Sequence, residues 1–560
     1  MTTNGSAPPR RATSARRLRS ALVVALLCAA GGTVVALTGS GHAATPTAKL
    51  TPQQIAKLLI DHGHNRFATL GAQRALEFTA GENQSAGRSI GDSGRLAATR
   101  PAAGGAPVTA RLGLANVRVN NPALDTHETD QTTQSETTVA VSGRHVAVGF
   151  NDSQQALLAL TDGMDLTGYA YSTDGGASFT DGGTLPNPLN FVNLGDPWMA
   201  SDRAGRMYYS TLTYGGNVGN LEVAVGRSDD GGRTWSTPTL ASPNNDNNFY
   251  QGDKDAITVG RDPKVASRDN LYAAWDDMSF DVASESSFNG LPVAASIDHG
   301  RTWSLHYADK IVSDPASCSF AQYIGAQPLV DPANGTLYVA AEKLAADDCT
   351  GSGGVVRSEV IFKSTNGGVT FSRAVTVSAV TAAFPTDALE LGPGIVVRTI
   401  EFPALAIHGA TLWLAWNDGQ TGHSHIQLAT STTHGATWDV NSVTSGTGDE
   451  IQPAVAADAT GLHVAYYQRN ANNTFDTVVA DSTDSGIHFA KHAVTSQSFP
   501  GVRTIPQFDP QIAFGYMGDY IAMISNGGHQ YFAWGDNRDR LTDFTHPNGR
   551  NDPDVFFARR

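Results

Sequence analysis

From Val108 onward, apolar residues come in short bursts that alternate with polar ones at a period of two, the spacing of a half-buried β-strand. Bursts of this kind recur near Thr137–Val141, Pro197–Ser201, Ala256–Val259, Pro328–Asp331, Pro403–Ile407, Pro453–Ala457 and Tyr520–Ser525. Each is followed by a turn with Gly or Asn, a second strand rich in Tyr, Trp and Ala, a variable loop and a third strand. The pattern predicts an all-β chain built from seven small antiparallel sheets, and a count of six is the alternative. The last repeat ends on the strand Asp554-Val555-Phe556-Phe557-Ala558-Arg559 with no fourth strand after it. The alternating stretch Val108–Val119 can supply the missing strand from the other end of the chain, which would remove the free sheet edges.

The first six repeats each close on one phrase, clearest at Ser228-Asp229-Asp230-Gly231-Gly232-Arg233-Thr234-Trp235. It reduces to Ser, any residue, Asp, any residue, Gly, two more residues and an aromatic. It recurs from Ser172 (Asp174, Gly176, Phe179), Ser296 (Asp298, Gly300, Trp303), Ser364 (Asn366, Gly368, Phe371), Ser431 (Thr433, Gly435, Trp438) and Ser482 (Asp484, Gly486, Phe489). The physics is that of a tight hairpin. The Asp side chain can accept from backbone N–H groups just ahead, Gly supplies a positive φ, and the aromatic ring is buried as the chain returns. Starts roughly 50 to 70 residues apart suit one small sheet per repeat.

The phrase resembles the Asp-box, or bacterial neuraminidase repeat, of sialidase-like β-propellers, and the resemblance covers roughly residues 108–560. It implies a propeller of four-stranded antiparallel blades in which these hairpins join the outer strands on the face opposite the ligand, as scaffold. It leaves activity open, because Asp-boxes also occur in xyloglucan hydrolases, exo-arabinanases, sorting receptors and photosystem assembly factors. Sialidases clamp their substrate's carboxylate with three Arg, the first in a Phe- or Tyr-Arg-Ile-Pro motif ahead of the first Asp-box. Nothing like it precedes Ser172; the nearest text, Arg503-Thr504-Ile505-Pro506, follows the last hairpin.

The N-terminus reads differently. Arg10, Arg11, Arg16, Arg17 and Arg19 precede the apolar run Ala21–Leu37, and small residues at Ala43-Ala44 offer a cleavage site, so residues 1–44 read as a secretory signal peptide. Residues 45–107 read as a short helix capped by Thr51, followed by a Gly-, Ala- and Ser-rich linker or pro-segment. In an exported chain, Cys318 and Cys349 read as a disulfide. Formal charge is −15, and without the five arginines of the leader it is 33 bases against 53 acids, or −20. No surface of that sign would neutralise a phosphate backbone, so nucleic acid is excluded as a partner. The expected partner is an extracellular glycan or polysaccharide. The mature chain is expected to be a monomer without a membrane segment.

Repeat alignment brings two sets of residues to the face away from the hairpins. The first is Asp196, Gln327, Glu401, Gln452 and Asp519, with Asp253-Lys254-Asp255 in the third repeat. The second, at the ends of second strands, is Asp152, Asp277, Lys343, Asp418, Gln468 and Asp536, four of them following Phe150, Trp275, Trp416 or Trp534 by two. The expectation is a cup of carboxylates with aromatic walls, suited to glycoside hydrolysis by a carboxyl pair. Asp253, Asp255, Asp277 and Glu401 are the catalytic candidates. Arg398, Lys343, Asp418, Asp536, Arg538, Trp275 and Trp416 are the substrate-binding ones. The alternatives are turn-capping Asp residues, a structural calcium ion in place of any required cofactor, a binding module without chemistry, and a lyase using His423 or His425.

Overall fold

A computed structural model describes residues 113–125, 132–156, 163–215, 220–242, 249–281, 286–312, 320–346, 355–384, 388–392, 395–501, 517–542 and 547–560, with positions 51, 53, 54 and 57. The leader 1–44, nearly all of 45–107, and both Cys318 and Cys349 lie outside the described residues. Thr51 and Gln54 do exchange the reciprocal bonds of a helix start, Thr51 N–H to Gln54 Oε1 at 2.9 Å and Gln54 N–H to Thr51 Oγ1 at 3.3 Å. Among the described residues no helix is long and apolar enough to cross a membrane.

The chain is all-β, in antiparallel meanders such as Ala404–His408, Thr411–Asp418, His425–Ser431 and Asp439–Ser442. The first strands of the meanders are Gln134–Ser142, Trp198–Ser201, Phe249–Arg261, Phe320–Val330, Ala404–His408, Glu450–Asp458 and Ala522–Asn526. Each lies against the next, and the last lies against the first, so they form a closed cycle around one axis. The core sits between neighbouring meanders rather than in one central mass. Trp275, for example, is fully buried in a cluster spanning Ala156 to Ala294, and Trp416 in one spanning Tyr338 to Ala429.

The cycle closes where the N-terminal stretch joins the last strand. Val117–Arg118 pairs with Arg550–Arg559 in the register Val117↔Phe557 and Arg118↔Phe556. Val119 N–H then donates to Val555 O at 2.8 Å. The four-stranded edge expected from Val108–Val119 is therefore present, with Val117–Arg118 as its paired part.

The recurring hairpins adopt one geometry. Ser172 Oγ donates to Asp174 Oδ1 at 2.7 Å and accepts from Gly176 N–H at 2.9 Å, while Asp174 accepts from the amides of Ala177 and Ser178. The same triangle recurs at Ser228, Ser296 and Ser482, and at Ser364 and Ser431 with Asn366 and Thr433 replacing the Asp. The ring that follows reaches the preceding meander: Phe179 meets Phe557 edge-on at 5.0 Å, and Trp235 meets Tyr169 at 6.0 Å. Gly176 is at φ +91°, and a Cβ there would lie 2.2 Å from the Phe557 ring, so both the turn and the close approach require glycine.

Candidate functional site

Most first strands open on a β-bulge or irregularity, with register shifts at Ser135/Thr138, Asp253/Ala256, Ile324/Gln327 and Ile451/Ala454. Two residues before the first regular pair stand Glu136, Asp196, Lys254, Gly325, Phe402, Gln452 and Tyr520. Glu136, Asp196, Lys254 and Gln452 take positive φ there, at 51°, 57°, 43° and 54°. Side chains other than glycine resist this conformation by about 1–3 kcal/mol, and such strain collects at functional sites. The strained turns re-aim side chains from separate meanders toward the axis.

Lys254 stands on that axis. It is 4% exposed, and its Nζ lies 3.9 Å from the Tyr520 ring, 4.7 Å from Trp198 and 5.6 Å from Phe402. Those rings come from three other meanders. Together with Gln452 and Asp519 they line a small cavity of about 80 Å³.

Carboxylates crowd the same end. Asp196 is fully buried with no hydrogen-bond partner on either oxygen. Burial, then the charges of Glu136 and Asp253, hold its carboxyl well above the ordinary range, with Lys254 opposing. Asp276 is raised by burial and by Asp253, its partner across the strand pair, while its Oδ1 accepts from Gly325 N–H at 3.2 Å. Burial pushes Asp255 up to about 7. Asp519 is raised by burial and held down by Arg398, whose Nε lies 3.2 Å away, and by Lys254. Asp253 Oδ1 accepts from the Lys254 N–H at 2.8 Å.

Of the residues expected from sequence, Asp253, Asp255, Asp196, Asp519 and Arg398 thus come together. Asp277 does not join them: its Oδ2 accepts from Tyr307 O–H at 3.0 Å, and burial pushes it up to about 7. Glu401 faces outward to Arg357, with Nη1 2.6 Å from its Oε2. The expected aromatic walls are corrected: Trp275 is 0% and Trp416 1% exposed, both packed in the core between meanders. The rings that line the cavity, Trp198, Phe402 and Tyr520, were not picked out from sequence as walls. Their repeat positions were the available signal.

The second expected ring holds turns and joints. Asp418 accepts from the amides of Gln420 at 2.8 Å and Thr381 at 3.0 Å. Asp536 accepts from Trp534 Nε1 at 2.8 Å and from Arg538 Nη2 at 2.5 Å. Arg538 itself reaches Asn116 Oδ1 and Ser496 Oγ, both at 3.0 Å, and fastens the N-terminal stretch. Lys343 is half-buried with Nζ 5.9 Å from the Tyr323 ring. Gln327, from the first set, accepts from Leu405 N–H and lines the same cavity as Lys254 and Asp519, although the bulge gives it a different register position from Asp196. His425 and His423 are paired with Glu450 at 2.9 Å and Asp449 at 3.4 Å.

The buried acids set a pH dependence. Asp152, Asp165, Asp255 and Asp277 all stand at about 7 in the fold, against 3.8 ordinarily, with burial the largest cause of each. Between those values the folded chain keeps protons that the unfolded chain has released. Each group therefore favours the fold at the acid end of that window, and this contribution is lost as pH rises toward 7. The hairpins run the other way: against partial burial, Thr302 and Ser296 hold Asp298 at about 2, so its contribution fails only in strong acid. The thermal unfolding midpoint is expected to be higher at pH 5 than at pH 8; an equal or reversed order would contradict these assignments.

The chain matches no protein-family model and no curated protein. Among solved structures it is similar to the α-L-arabinofuranosidase Arb93A of Fusarium graminearum (11% identity, 68% of this chain and 97% of that one, TM-score 0.41). It is also similar to the endosialidase of phage phi92 (10%, 80% and 69%, TM-score 0.42) and to Trypanosoma rangeli sialidase (13%, 63% and 55%, TM-score 0.38). Likeness at this level carries neither a residue nor a substrate across.

Proposed function

We propose that this chain is a secreted, monomeric, seven-bladed sialidase-like β-propeller that hydrolyses extracellular glycans at the axial end away from its hairpins. The observation that carries the reading is the convergence of Asp196, Asp253, Asp255, Asp276 and Asp519 on Lys254. Hydrolysis of a glycosidic bond needs one carboxyl group kept protonated and another kept ionised. Asp276, its carboxyl raised by burial and by the neighbouring Asp253, suits the acid. Asp253 suits the nucleophile or base. Asp253 and Asp276 stand opposite each other across the antiparallel pair, so both side chains leave the same face of the sheet. Tyr520, Trp198 and Phe402 offer ring faces to a sugar, and Arg398 and Lys254 offer cations to its polar groups.

A glycan-binding module without chemistry is the second reading. It is favoured by the Lys254 ammonium already lying over the ring faces and by the burial of the acids. Purified protein incubated with a panel of aryl glycosides, sialosides and arabinosides included, separates the two. The hydrolase reading expects release that Asp276→Asn lowers about 10²- to 10⁴-fold with binding retained. Saturable binding without release by the unmodified protein would leave the module, and full activity in Asp276→Asn and Asp253→Asn would remove this pair.

A further inference from the structure

At the joint where the N-terminal stretch meets the last strand, three more aspartates converge. Asp125 follows the turn Pro122–Leu124, which Asn121 caps. Asp552 and Asp554 stand two apart on Arg550–Arg559 and so share a face. One carboxylate oxygen from each of the three lies within 4.8 Å of the other two. All three residues are buried, at 7%, 3% and 0% exposure.

The surroundings orient these acids, and one of them, Asp552, is paired with a cation. Asn120 Nδ2 donates to Asp554 Oδ1 at 2.8 Å, and Gln134 Nε2 donates to Asp125 Oδ1 at 3.0 Å. The two amides are themselves joined, Asn120 Nδ2 to Gln134 Oε1 at 2.9 Å, and Asn120 Oδ1 accepts from Val555 N–H. One oxygen each of Asp554 and Asp125 is thereby fixed, while their other oxygens, Asp554 Oδ2 and Asp125 Oδ2, are buried with no hydrogen-bond partner. The nearby cation is Arg550, 3.1 Å from Asp552 Oδ1 and also bonded to Thr132 Oγ1 at 2.5 Å. Beyond it Arg118 is taken by Asp539 at 2.8 Å, and Asp152 adds a further acid beside Gln134. Buried carboxylates at this spacing need protons or a cation.

We infer that Asp125, Asp552 and Asp554 bind a divalent, oxygen-seeking cation of the calcium type, which fastens the two ends of the ring together. The donor set is all hard oxygen, as calcium prefers. Carboxylates whose other oxygens are held by amide N–H groups are what a metal site's supporting residues provide. Backbone carbonyls and water would complete the shell. The ligands come from opposite ends of the chain, so the ion binds the closed ring and not the unfolded chain. Its binding then adds directly to stability.

The test uses the full chain, stripped with a chelator and dialysed. Calorimetric titration with calcium chloride is expected to show one ion per chain. Added calcium should raise the thermal midpoint by several degrees, with magnesium weaker. Asp554→Asn and Asp125→Asn, which keep the shape and remove a charge, should each weaken calcium binding at least tenfold. Two results would overturn the inference: no calcium binding and no thermal shift in the unmodified protein, or an undiminished calcium response in both variants.

Discussion

Replacing Arg357 by methionine is expected to cost about 3–5 kcal/mol of stability at pH 8, the scale of a buried ion pair broken from one side. Arg357 is 5% exposed on the strand Val356–Ser364. Its Nη1 lies 2.6 Å from Glu401 and 3.4 Å from Glu342, both 0% exposed. Glu359, also fully buried, is opposite Glu342 across the strand pair, and burial, then Glu342, Glu401 and Asp418 push it well above the ordinary range. Without the guanidinium these acids share one apolar region with less compensation. At pH 5 protons can replace it, so the loss should shrink. Adding Glu401→Gln should recover part of it at pH 8. Urea unfolding midpoints of the three proteins at both pH values check this; an equal loss at pH 5 and pH 8 would contradict it.

Lys254→Met is the second large effect. The variant removes the cation that opposes the upward shifts of Asp196, Asp276 and Asp519, and it gives up contacts with three rings. The ring contacts alone are worth about 0.5–2 kcal/mol. The electrostatic part is larger at pH 8, where the acids must otherwise ionise without a partner. The expected result is a strongly destabilised protein at pH 8 that is largely rescued at pH 5. A cost independent of pH would mean that Lys254 acts through packing alone.

The hairpins were legible because Ser228, Asp230 and Gly232 satisfy one another within five residues, so local chemistry is written in local text. The closing strand was legible because alternation marks it as a strand and the last repeat lacks one. The site was legible only in part. Asp253 and Asp255 came from repeat alignment and Arg398 from its nearness to Glu401 in sequence, but one bulged residue at the start of several first strands moves a side chain to the opposite face. The bulge before Gln327 sets it at a different register position from Asp196, and Glu401 pairs with Arg357 on another strand. The indoles of Trp275 and Trp416 followed the strand period faithfully and ended in the core between meanders. Arg357 with Glu342 and Glu401, and Asp125 with Asp554, join residues too distant in sequence for any local pattern to announce.

Whether acids from separate meanders meet at Lys254 can be measured without any substrate. A double-mutant cycle pairs Lys254→Met with Asp519→Asn, residues 265 positions apart in the chain, and reads unfolding free energies at pH 8. Convergence at the axis predicts a coupling of at least about 1 kcal/mol. Additivity within about 0.3–0.5 kcal/mol, as for independent sites, would contradict it.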